Sequence, residues 1–66
     1  MKNKKVYIVK TQLVSGGDIH TAEFLDFTCA NDYYECYVQL NIYNVEFSET
    51  ITKTEIVRST LLKTNQ

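Results

Sequence analysis

Residues 33–47 read YYECYVQLNIYNVEF, and the fold turns on how that stretch is taken. From Tyr34 one parity carries Tyr34, Cys36, Val38, Leu40 and Ile42; the other carries Glu35, Tyr37, Gln39, Asn41 and Tyr43. Alternation of period two, rich in aromatic and β-branched residues, predicts a half-buried strand over 33–47. The rest of the chain is placed by asking what pairs with it.

Upstream, residues 5–14 are β-rich and stop at Ser15-Gly16-Gly17-Asp18. Adjacent glycines supply the positive φ angles of a tight hairpin turn. A two-residue loop there sets Val9 opposite Phe24, Ile8 opposite Leu25, Val6 opposite Phe27 and Lys10 opposite Glu23. Residues 19–30 then form the second strand, with Leu25, Phe27 and Cys29 alternating against Asp26 and Thr28. A helix near 21–31 is the competing assignment. Asn31-Asp32 is the next turn, because both residues tolerate the left-handed region. It sets Cys29 opposite Tyr34, Phe27 opposite Cys36 and Leu25 opposite Val38.

The two turns assemble one apolar face from Val6, Ile8, Leu25, Phe27, Cys29, Tyr34, Cys36, Val38, Leu40 and Ile42. Leu25, Val38 and Leu40 are its expected buried centre. Ser48-Glu49-Thr50 breaks the pattern, and residues 51–62 favour a fourth strand through their threonines and branched side chains. A C-terminal helix near 52–63 is the alternative. The expected fold is therefore mainly β: a four-stranded antiparallel meander with strands near 5–14, 19–30, 33–47 and 51–62. The alternative is an α+β fold carrying one of those helices. A sheet this small cannot cover its own apolar face, so it is expected to curl, accept a helix or dimerise.

Sixty-six residues make a single small domain near the lower limit for a self-sufficient core, with 1–4 and 63–66 expected to be loose. Seven basic and eight acidic side chains give a net charge of −1, and their scatter argues against a phosphate-tracking surface. Lys2, Lys4 and Lys5 form the sole basic cluster, read as a solubilising terminus. No stretch has the length of a membrane span or the core of a signal peptide. The expected location is cytoplasmic, with Cys29 and Cys36 as free thiols buried among apolar neighbours.

Chemistry-bearing motifs are sparse. His20 is the one histidine and has no oriented nucleophile beside it. Glu23, Asp26, Asp32 and Glu35 read as solvated charges, and no zinc spacing or phosphate loop is present. No catalytic, cofactor-binding or metal-binding residues are expected, and no enzyme. The second sheet face carries Tyr7, Phe24, His20, Asp26, Tyr37, Gln39 and Tyr43. Tyrosines with amide neighbours offer broad contact area at low rotamer cost. These seven residues are the expected partner-binding surface. The expected function is a non-enzymatic protein-binding module, an inhibitor or adaptor of phage or mobile-element type that occludes its partner's surface; a homo-oligomer is expected, with a dimer favoured. The alternative is a single-stranded nucleic-acid or nucleotide binder that stacks bases on those rings.

Overall fold

The computed structural model describes residues 3–53 and 55–65. Four strands and one helix follow in the order β1 (Asn3–Leu13), β2 (His20–Phe24), α1 (Phe27–Leu40), β3 (Tyr43–Lys53) and β4 (Ile56–Thr64). The strands form one antiparallel sheet in the order β2-β1-β3-β4. The mainly β, four-stranded antiparallel character expected from the sequence is therefore present. The meander is not, because β3 pairs with β1 and not with β2.

That pairing explains the helix. β2 and β3 both run antiparallel to β1, so they run parallel to each other. Joining two parallel strands requires a crossover of a dozen or more residues, and a helix is the usual way to make it. Residues 27–40 make it here. Asp26 caps the start in extended conformation, its carboxylate accepting from the Cys29 amide at 3.0 Å. Asn41 ends the helix in the left-handed region at φ 62°, its amide donating back to Val38 O. The expected strand at 33–47 is corrected accordingly. Its first eight residues are helix and its last five are β3. The Asn31-Asp32 turn lies inside the helix. The competing helix at 21–31 has the right kind of element in the wrong place, since 20–24 are strand.

Two further corrections concern the hairpins. Gly16 and Gly17 do turn the first one, both at positive φ. Its loop is longer than two residues, however, and Gln12 Nε2 donates across it to Gly17 O at 2.8 Å. The register slides by two, placing Phe24 opposite Tyr7 and Ala22 opposite Val9. Ser48-Glu49-Thr50 is no break but the middle of β3, and the second hairpin turns after Lys53. β4 is a strand, which removes the C-terminal helix.

The core lies between α1 and one face of the sheet. Tyr7 and Val9 of β1, Val45 and Phe47 of β3, and Ala30 and Tyr34 of α1 are buried, and Thr11 is the buried polar neighbour. Phe47 is fully buried, with the rings of Phe27, Tyr34 and Tyr7 at 5.5, 5.8 and 6.1 Å. The aromatic parity of the sheet is thus the covered one. The aliphatic parity, with Val6 and Ile8, lies on the open face. Leu25 is 79% exposed in the β2–α1 turn, Leu40 is exposed, and only Val38 of the expected centre packs on the core.

A 14-residue helix spans about 21 Å, whereas an 11-residue strand spans about 36 Å. The helix therefore stops short, and β1, β3 and β4 project beyond it as a ribbon in a molecule of 42 × 22 × 16 Å. Lys63 and Asn65, within the end expected to be loose, are tied down. Lys63 Nζ donates to Asn31 Oδ1 at 2.7 Å, meets Glu35 at 3.9 Å and lies over the Tyr34 ring. Asn65 accepts from the Val45 amide at 2.9 Å and donates to Tyr43 O at 2.8 Å. Lys4 is already within β1; Met1, Lys2 and Gln66 lie outside the described residues.

Candidate functional site: an aromatic ledge

One row of rings stays half exposed where α1 meets the sheet. Phe24 ends β2; Tyr33 and Tyr37 are one helical turn apart on α1; Tyr43 opens β3. Their centroids follow in sequence at 5.2 Å (Phe24–Tyr33), 4.8 Å (Tyr33–Tyr37) and 4.9 Å (Tyr37–Tyr43). The first two contacts are tilted and the last is edge-on, geometries in which ring quadrupoles attract. All four rings pack against the core without being buried in it. Each is anchored from below, so the row presents a preformed apolar surface with hydroxyl tips.

The Tyr33 hydroxyl is hydrogen-bonded with that of Tyr37, and this bond, then burial, then the nearby Tyr37 and Tyr43 hydroxyls push its pKa up to about 12. Tyr33 is therefore a neutral phenol throughout the physiological range.

The seven expected partner-binding residues separate into three groups. Phe24, Tyr37 and Tyr43 come together in the ledge. His20 shares the helix-side face of β2 with Phe24 through its pairing with Thr11, and it and Gln39 are exposed. Tyr7 and Asp26 do structural work instead. Tyr7 is 9% exposed beneath Phe27 and Phe47, and Asp26 is the helix cap. The flat tyrosine-rich sheet face is thus replaced by a ledge along a helix. Tyr33 is the member that strand alternation misses. Its signal is the i, i+4 spacing to Tyr37 downstream of a helix-capping aspartate.

Both cysteines are free, as expected, but exposed and not buried. The thiol of Cys29 has its pKa raised, first by its hydrogen bond with the Asp26 carboxylate and then by that group's charge. A carboxylate neighbour is the reverse of what activates a nucleophilic cysteine.

The charges are less scattered in space than in sequence. The ribbon end holds Lys4, Lys5, Lys53 and Arg58 against Glu49 and Glu55, with Lys5 paired to Glu49 at 3.6 Å. The helical end holds Asp18, Glu23, Asp26, Asp32, Glu35 and Glu46 against Lys10 and Lys63. An open hollow of about 320 Å³ lies on the basic ribbon, lined by Ile51, Lys53, Ile56 and Arg58, away from the ledge. Among the described residues no group of three or more His, Cys, Asp or Glu could hold a metal ion. No described helix is long and apolar enough to cross a membrane. Compared with known proteins, the chain matches no family model, no curated protein and no solved structure.

Proposed function

We propose that this chain is a small non-enzymatic module that binds another protein through the ledge Phe24–Tyr33–Tyr37–Tyr43. It acts as an inhibitor or adaptor by occupying its partner's surface, in the manner of phage and mobile-element accessory proteins. Its place is the cytoplasm, where its two thiols stay reduced. The observation that carries the reading is the unbroken row of four anchored, half-exposed rings. Aromatic centres with polar rims are the common form of binding hot spots, and His20 and Gln39 supply the rim. Rings anchored from below lose little rotamer freedom on binding.

Stacking of single-stranded nucleic acid on the same rings is the weaker reading. The helical end that carries the ledge is the acidic end, and four of the six described basic side chains sit on the ribbon. Phosphates would be repelled where the bases would stack.

The test places a photo-activatable phenylalanine analogue at Gln39 in one variant and at Thr52, on the open face of the ribbon, in another. Both are expressed in the native host and irradiated. The expected result is a nuclease-resistant protein adduct from position 39 and none from position 52. Adding Tyr37→Ala should weaken the adduct, since losing about 2 kcal/mol at a hot spot is roughly thirtyfold in affinity. An adduct from position 52 alone, or one digested by nuclease, would sink the proposal.

A further inference from the structure

The subunit is less compact than a chain of its size should be. Its radius of gyration is 12.7 Å, against about 11 Å for a compact domain of this length. Its accessible surface is 4898 Å², against about 4,300 Å² for a monomer of this mass. The excess, about 600 Å², is roughly three-quarters of the ~800 Å² that each partner buries in a standard interface. The ribbon's outer strand β4 is exposed at every residue.

β4 is also a poorly guarded edge. Ile56, Val57 and Leu61 are 67, 63 and 55% exposed, and the strand contains no proline. Natural edges are usually blunted by proline, lysine or bulges. Lys63 does not protect this one, because its ammonium turns back to Asn31 and Glu35. A register shift beside Ser48 leaves the stretch up to Leu61 as the regular edge. β2, the opposite edge, is five residues long, and its Ala22 and Phe24 are half buried.

We infer that two copies of this chain pair antiparallel through β4, with the twofold axis at Ser59. The inference is independent of the ledge. Side-chain parity selects the register. With the axis at Ser59, Val57 faces the partner's Leu61 and Leu61 faces the partner's Val57, all four on the open face. Arg58 faces the partner's Thr60. Moving the axis to position 58 sets Arg58 against its own copy, and moving it to position 60 sets Leu61 against serine. Cross-strand apolar pairs are favourable and directly opposed like charges unfavourable. Of these three central axes, the one at Ser59 satisfies both conditions.

Charge supports the same arrangement. A twofold at Ser59 turns the ribbon end of one copy, with Lys53 and Arg58, toward the end of the other where Glu35 and Glu46 lie beside β4. Paired this way, two four-stranded sheets become one of eight strands. On its open face, Ile8, Ser48 and Leu61 of one copy continue into Val57 of the other.

Light scattering tests the inference, first on the unmodified chain at tens of micromolar. The expected mass is twice 7.7 kDa. Ser59→Glu opposes two carboxylates at the axis and, within its own subunit, replaces a hydroxyl that is hydrogen-bonded with the Thr50 hydroxyl at 3.0 Å. It should give a monomer with an unchanged far-ultraviolet circular dichroism spectrum. Ser59→Cys, made with Cys29→Ser and Cys36→Ser, should form a covalent dimer under mild oxidation, because opposed strand residues fall within disulfide reach. A native chain that stays monomeric at hundreds of micromolar would overturn the inference. So would a dimer that survives Ser59→Glu. If Ser59→Glu fails to fold, the cross-link decides, and its absence in a dimeric sample overturns the axis.

Discussion

Phe47 and Leu25 reverse the roles that alternation in the sequence gives them. Phe47 is fully buried against three rings, while Leu25 is 79% exposed in a turn. Phe47→Ala should cost about 3–5 kcal/mol, a large share of the stability of so small a domain. Leu25→Ala should stay within about 0.5 kcal/mol, as exposed substitutions do. Urea unfolding followed by circular dichroism separates the two, and comparable midpoint losses would mean the core is misplaced. Cys29 offers a second residue-level check. Asp26 disfavours its thiolate, so removing the charge should accelerate alkylation. In a Cys36→Ser background, Asp26→Asn should raise the iodoacetamide rate at pH 8 while keeping the cap, since asparagine caps as well as aspartate. An unchanged rate would show that the carboxylate does not face the thiol.

At the scale of the element, α1 is defined by its ends. The same residues alternate with period two and also repeat with helical spacing, as Ala30, Tyr34 and Val38 demonstrate. What distinguishes the readings is Asp26 before the run and Asn41 after it. Asn41 holds φ 62°, where a β-branched residue costs about 1–2 kcal/mol and glycine nothing comparable. Asn41→Val should lower stability by about that amount and Asn41→Gly should not, as thermal melts would register. The ledge gives a pH signature. Tyr33 is raised to about 12 in the fold, whereas a free tyrosine titrates near 10. The folded state therefore keeps a proton that the unfolded chain releases. The associated stability is full below pH ~10 and is lost as pH rises to about 12. Melting temperature should fall across that window, and Tyr33→Phe should flatten the fall.

The whole molecule is a charge-segregated wedge: acidic where the helix covers the sheet, basic where the ribbon stands alone. A net charge of −1 conceals that division, because it forms only when β1, β3 and β4 bring Lys4, Lys5, Lys53 and Arg58 to one end. Side-by-side antiparallel copies gain from it at low ionic strength, and salt screens exposed charges beyond about 10 Å at 0.1 M. The dissociation constant measured by sedimentation should therefore rise with sodium chloride before levelling at the contribution of Val57 and Leu61. A salt-independent constant would assign the pairing to apolar contact alone.

The sequence by itself determined what depends on neighbours along the chain. It carried the antiparallel, mainly β character, the glycine turn at Gly16-Gly17, strand structure beyond residue 51 and the unpaired state of the two thiols. It also marked Phe24, Tyr37 and Tyr43 as rings worth following. Only the tertiary structure decided the identity of residues 27–40 and which face of the sheet is inside. In β1 the parities are nearly balanced, with Tyr7 and Val9 on one side and Val6 and Ile8 on the other. Nothing local ranks them, and the slide of the first hairpin by two residues leaves parity unchanged. The choice is made by the pairing of β1 with β3, some 40 positions away in the chain. That pairing leaves β2 and β3 parallel, requires a crossover between them, and sends residues 27–40 over the aromatic face as a helix.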